Sequence, residues 1–290
     1  MTLRVASLGI ALILSARCAA MPACPRSEAA DQTTKTSPEL VRLLRGAAIG
    51  DHDAQFQAGL RYESGCGVAQ DYSQAVHWYR KAADNGHAGA QSSLAGLYLA
   101  GLGVKQSDTE AMKWYLRAAM EGYGPAQNNI GYLYQTGRAG NSADVRTNQD
   151  ESLKWYRKAA QSGSAAGELN LGLAYFNGTA VEQDLAEAMK WFVKAAAHGS
   201  AAACDQLGRV YEHGWGARQD YGAADKWYRT AIERGYAGAR QDLDGLSEVA
   251  QQSAEDAGHG QSLSVTPHTF PRQSGLTGEG KEMVSETPPI

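Results

Sequence analysis

The sequence has no excess of basic residues, almost no proline in its middle, few cysteines and no long apolar run. Each shortage removes a class of protein. Lysine and arginine total 27 against 31 acids, a net charge of −4, so no cation surplus is available to neutralise phosphates and nucleic acid is not expected as a partner. Six of the 8 prolines (Pro22, Pro25, Pro267, Pro271, Pro288, Pro289) stand in the outer segments, which leaves the middle free to be continuously helical. The apolar run Val5 to Leu14 is too short to cross a bilayer, so no stable membrane span is expected. No two of the four cysteines (Cys18, Cys24, Cys66, Cys204) stand two to four residues apart and no histidine cluster joins them, so no metal site is expected. No serine has a lysine three residues later, and neither Gly-x-Ser-x-Gly nor His-Glu-x-x-His occurs. No catalytic residue and no cofactor site follow from these patterns. Gly275 to Lys281 has phosphate-loop spacing, but Glu282 occupies the hydroxyl position and neither a strand nor a helix flanks it. His77, beside Trp78, has no acid or serine motif with it and is read as a helix-surface residue.

What is present begins with a leader. A charged start, Met1 to Arg4, the apolar run and the small residues through Ala20 have the layout of a signal peptide over residues 1–20. Cleavage after Ala20 puts Cys18 and Ala20 at the −3 and −1 positions. Arg17 disfavours lipidation of Cys18, because a small residue should precede a lipidated cysteine. The chain is therefore read as exported, periplasmic or secreted, or cytoplasmic if translation starts at Met21. Residues 21–36 are read as a flexible linker. Residues 251–290, rich in Gly, Ser, Thr, Pro and charge without a period, are read as a disordered tail.

Between these ends the chain repeats itself. Trp78, Trp114, Trp155, Trp191 and Trp227 are separated by 36, 41, 36 and 36 residues, and Gly86, Gly122, Gly163, Gly199 and Gly235 keep the same intervals. Tyr62, Tyr98, Tyr134, Tyr175 and Tyr211 give 36, 36, 41 and 36, which places five extra residues between Tyr134 and Trp155, in the connection holding Arg138 and Arg146. The units are 52–87, 88–123, 124–164, 165–200 and 201–236. Each reads as two helices. Ala75, Trp78, Tyr79, Ala82 and Ala83 form one apolar stripe at helical period, and Ala54, Ala58 and Tyr62 another, so the Trp-Tyr pairs are read as core. Asp71 with Gln74, Ser107 with Glu110, Asn148 with Glu151 and Asp184 with Glu187 have capping-box spacing. Gly59, Gly131, Gly172 and Gly208 recur three before the tyrosine, where a missing Cβ lets paired helices approach closely. A pair of this length cannot bury its stripe alone, so neighbours stack. Residues 37–250 form the solenoid, with a leading cap helix at Ser37 to Gly50 and a trailing one from Ala239 to about Val249. Cys66 and Cys204, in the first and fifth units, are too far apart to pair, since each helix layer adds about 8 to 10 Å.

Ala126-Gln127-Asn128-Asn129-Ile130-Gly131, Tyr134, Gly137, Trp155-Tyr156, Ala159-Ala160 and Gly163 together resemble the Sel1-like repeat family, a branch of the tetratricopeptide-like solenoids. The resemblance covers nearly all of 37–250. It implies an all-α fold, a right-handed α-solenoid of five helix-turn-helix repeats with capping helices at both ends. It also implies a non-enzymatic adaptor for a protein or peptide partner, often exported in bacteria, and the chain is read as a monomer. Some cysteine-rich members have been proposed to bind or hydrolyse β-lactams; that envelope-enzyme reading is the alternative here, although no cysteine pair lies within any repeat. Ala95 stands where the glycine is expected, and Thr179-Ala180 replaces the second loop glycine.

For an adaptor the candidate surface is what the packing stripe of the first helices leaves free, taken as the concave face. Five before the tyrosine stand Gln57, Ser93, Asn129, Asn170 and Gln206, polar in every unit. An amide both donates and accepts, so such a row can hold an extended backbone, or it can bond the neighbouring helix and stiffen the stack. Two before the tyrosine the residue varies, with Tyr132 in the third unit and Arg209 in the fifth. These seven residues are the candidate partner-binding set.

Overall fold

The computed structural model describes residues 38–139 and 144–247. The leader, linker and tail expected at 1–20, 21–36 and 251–290 lie outside them. Among the described residues all regular structure is helical. A leading helix α1 (Pro38–Ala48) precedes five antiparallel pairs: α2 (His52–Ser64) with α3 (Tyr72–Asp84), α4 (Ala88–Ala100) with α5 (Asp108–Met120), α6 (Gly124–Gln135) with α7 (Val145–Gln161), α8 (Ala165–Asn177) with α9 (Leu185–Ala197), and α10 (Ala201–His213) with α11 (Tyr221–Glu233). A last helix, α12, begins at residue 239 and continues to 247, the final described residue. The helices pack in chain order, and the closest approaches outside that order join first helices, α2 with α4 and α6 with α8. The first helices therefore lie on the inner side of an α-solenoid.

The local chemistry is the one the repeat announces. Asp71, Ser107, Asp184 and Asp220 each accept an amide of the first turn of a second helix, which satisfies donors that have no intrahelical partner. The reciprocal half of the box does not form. Glu110, Glu151 and Glu187 turn instead to Lys113, Lys154 and Lys190 one turn on, at 2.6, 2.6 and 2.9 Å.

Four of the five pairs are closed by a ring seated on a glycine of the opposite helix. The second-helix aromatics Tyr79, Tyr156, Phe192 and Tyr228 lie against Gly59, Gly131, Gly172 and Gly208, where an added Cβ would stand 2.4 to 2.7 Å from ring carbons. Their hydroxyls complete the contact: Tyr79 donates to Glu63, Tyr156 to Gln135 at 2.7 Å and Tyr228 to Glu212 at 2.5 Å. Where the ring is Phe192 the opposing residue is Phe176, with centroids 6.1 Å apart, so in these four units polar faces polar and apolar faces apolar. The tryptophans are less deeply placed than core residues. Trp114 is 8% exposed, whereas Trp78, Trp155, Trp191 and Trp227 are half-buried. Trp78, like Leu43 and Leu44, packs against the cluster of Ala47 from the leading helix with Ala54 and Ala58 from α2, so the indole belongs to the joint between the leading helix and the first unit.

The five extra residues of the third unit do not lengthen a loop alone. α7 has 17 residues where the other second helices have 13, and it begins a turn early, with Asp144 rather than Asn148 as its cap. Asp144 accepts from Arg146 N, Thr147 N and Thr147 Oγ1, which stabilises the earlier start. Arg146 is consequently a helical residue.

Candidate functional site

The polar row five before the tyrosine does not present one uniform surface. Gln57 is exposed, Asn170 and Gln206 are half-buried, and Ser93 and Asn129 are buried at 2% and 7% exposure. Asn170 Nδ2 donates to Asn128 Oδ1 at 2.8 Å, joining α8 to α6. Asn128 is thus a functional residue of the stack that lies beside the row and not in it. Tyr132 is half-buried on the inner side. Arg138, in the loop after α6, is drawn back onto the preceding unit, donating to both Asp108 carboxylate oxygens at 2.9 and 2.5 Å and to Leu99 O at 3.1 Å. That bidentate clamp raises the Arg138 pKa further, chiefly through its hydrogen bonds to Asp108.

Arg209 lies at the trailing end. It donates to Asp242 of α12 at 3.2 and 2.7 Å, and its Nε stands 3.3 Å from Asp205, while its side chain keeps 43% exposure. Asp205 is fully buried, and neither carboxylate oxygen receives a well-aligned hydrogen bond. Burial pushes its pKa up to about 7; Arg209 opposes the shift, and Asp242 and Glu212 add to it. Asp205 and Asp242 stand at the same two repeat positions as Asn128 and Asn170, so an inter-repeat amide contact in the middle of the chain becomes a carboxylate pair bridged by arginine at its end.

A second row, seven before the tyrosine, links each first helix to the helix before it. Gln55, Gln91 and Gln127 donate to Ala47 O, Ala83 O and Ala119 O at 3.1, 3.1 and 3.2 Å, satisfying a carbonyl at the end of the preceding helix. The fourth and fifth units carry Glu168 and Cys204 there, and each is met from its own second helix. His198 Nδ1 pairs with Glu168 at 2.8 Å. Arg234 supplies the missing donor to Ala196 O at 2.6 Å and reaches Cys204 Sγ at 3.4 Å. Ser162 occupies the same place in the third unit and donates to Gln127 Oε1 at 2.9 Å. The signal for this row was its repeat interval, masked by the change from Gln to Glu to Cys.

Cys204 is free, buried, and raised in pKa by burial, and Cys66 is disulfide-bonded. The two are therefore not joined, as the spacing of the units requires. No described helix is long and apolar enough to cross a membrane. Among the described residues no group of three or more His, Cys, Asp or Glu is arranged to hold a metal ion.

Comparison with known proteins gives the same organisation. The model of the Sel1 repeat matches five times, at residues 52–87, 88–123, 124–164, 165–200 and 201–236. Among solved structures, a Sel1 repeat protein from Oxalobacter formigenes is 29% identical, with a TM-score of 0.60 covering 74% of this chain and 93% of that one. The immunity protein Pa5087 from Pseudomonas aeruginosa shares the fold at 20% identity, with a TM-score of 0.52 covering 78% of this chain and 82% of that one. No curated protein gives a significant match.

Proposed function

The chain belongs to the Sel1 repeat family, and from that membership we propose that it is a non-enzymatic adaptor that holds a protein or peptide partner along the inner side of its first helices. The observation that carries the reading is the division of labour on those helices. Asn128 and Asn170 hold the stack together, while Gln57 is exposed and Gln206 and Tyr132 are only half-buried. Amide and phenol side chains at that spacing suit an extended backbone, which offers a donor and an acceptor at every residue. We further propose that the adaptor acts after export. The leader layout of residues 1–20 supports this, as does the disulfide at Cys66, a bond that persists in oxidising compartments.

Photocrosslinking tests the surface. A photoreactive residue at Tyr132 or Gln57 should capture the same protein in cells, while one at Arg157, exposed on a second helix, should not. Equal capture from all three positions would remove the inner side as the site. Sequencing the mature amino terminus tests export separately, and a mature protein that begins at Met1 would refute it.

A further inference from the structure

The second helices carry a repeated cation–π contact. Lys81 lies 4.9 Å from the centre of the Trp78 ring, Arg117 4.4 Å from Trp114, Lys158 4.1 Å from Trp155 and Lys194 4.1 Å from Trp191. In each the cation stands three residues after the tryptophan, one turn along the same helix face. The residue before the tryptophan is a lysine in the second to fourth units, held by the glutamate three residues earlier.

The fifth unit loses both partners. Thr230 stands in the place of the covering cation and turns its hydroxyl to Lys226 O at 2.8 Å. Ala223 stands in the place of the glutamate, and Gly222 precedes it. These truncations open a depression of about 440 Å³, lined by Trp227, Lys226, Asp220 and Tyr211 together with the shortened positions. Among the described residues no cation covers Trp227 and no acid pairs with Lys226. Asp220 spends one oxygen on Ala223 N, at 2.9 Å, and leaves its charge beside the opening.

We propose that this depression is a docking site for a partner polypeptide that supplies the two side chains the fifth unit lacks. A lysine or arginine of the partner stacks on Trp227, and a glutamate or aspartate within one helical turn of it pairs with Lys226. The recognition chemistry is the chain's own, because the first four units cover the same indole internally and the second to fourth pair the same lysine internally. The ring face is electron-rich and Asp220 adds negative charge, so a cation gains where a neutral apolar group does not. Lys226 repels a purely basic ligand, which makes the acid part of the requirement. The site is separate from the inner-side surface and does not depend on that reading.

The probe is the peptide acetyl-Glu-Ala-Ala-Lys-amide, with one analogue carrying side-chain-acetylated lysine and another carrying Gln for Glu. The readout is the set of indole N–H resonances of the 6 tryptophans in labelled full-length protein. The Trp227 resonance should shift saturably while those of Trp78, Trp114, Trp155 and Trp191 stay in place. Each neutralised analogue should bind at least about fivefold more weakly, a difference of about 1 kcal/mol. Thr230→Lys, which fills the ring from within, should abolish the response and melt at or above the wild-type temperature. Ala223→Glu gives Lys226 its own acid and should erase the advantage of glutamate over glutamine in the peptide. The proposal is overturned if Trp227 does not respond, if the neutral peptides bind equally well, or if a folded Thr230→Lys protein still responds. Should Thr230→Lys not fold, an unchanged glutamate advantage in Ala223→Glu overturns it instead.

Discussion

Replacing Asp205 with asparagine should remove much of the pH dependence from the trailing end of the solenoid. Asp205 is fully buried, its carboxylate is poorly hydrogen-bonded, and burial pushes its pKa from the ordinary 3.8 to about 7. The folded state therefore holds this proton more tightly than the unfolded chain does. Below about pH 4 both states are protonated and nothing changes; between about pH 4 and pH 7 only the unfolded chain ionises, so stability falls as pH rises; above pH 7 the loss is complete. Between pH 5 and pH 8 this amounts to about 2 to 3 kcal/mol for a group shifted in this way. For a unit of this size the same figure corresponds to roughly 5 to 10 °C in melting temperature. In Asp205→Asn the amide can donate to Asp242 and accept from Arg209 at every pH. Thermal unfolding of both proteins at pH 5 and pH 8 isolates the effect, because every other titrating group is shared. Equal pH dependence in the two proteins would refute the reasoning and place the Asp205 proton elsewhere.

Four further substitutions test the joints of the repeat. Gly67 and Gly103 occupy one loop position and both have positive φ, but an added Cβ at Gly103 would stand 2.4 Å from the Tyr72 carbonyl, whereas at Gly67 the nearest atom is 3.8 Å away. Gly67→Ala should cost about 1 kcal/mol and Gly103→Ala about 3 kcal/mol in denaturant unfolding, and equal costs would show that the close approach is not constraining. Ala180 holds the same position in the fourth unit at φ +57°, so Ala180→Gly should stabilise the protein by about 0.5 to 1 kcal/mol, read as a raised melting temperature. Gln91 Oε1 is buried without the donor that Ser162 gives Gln127, so Glu121→Ser should add about 1 kcal/mol; no change in thermal unfolding would argue that the site cannot close around the serine.

The helix pairs, their caps and the ring-on-glycine contacts were legible because each recurs at a fixed interval, and recurrence separates a structural requirement from chance. The extra residues of the third unit were only half legible. Counting places them between Tyr134 and Trp155, but whether loop or helix absorbs them depends on whether Asp144 or Asn148 offers the better cap, and that is decided by three hydrogen bonds no spacing reveals. The candidate surface was less legible still. A row at one offset from the tyrosine shares one helix face, yet the neighbouring unit buries Ser93 and Asn129 and leaves Gln57 open. Burial on a solenoid belongs to pairs of repeats, and a single repeat does not encode it.

The partners of Gln127, Glu168 and Cys204 are Ser162, His198 and Arg234, and Tyr79, Tyr156, Phe192 and Tyr228 face Glu63, Gln135, Phe176 and Glu212. Both sets of contacts close inside one unit. A duplication or recombination event that cuts at a unit boundary carries every such pair across intact, whereas one that cuts between the two helices sets Glu168 beside Arg234 or Phe176 beside Tyr228. The heritable module of this chain is thus the whole helix pair beginning at its first helix, and shuffled or lengthened versions should fold when joined at positions such as 164/165 and fail when joined at the loop between α8 and α9.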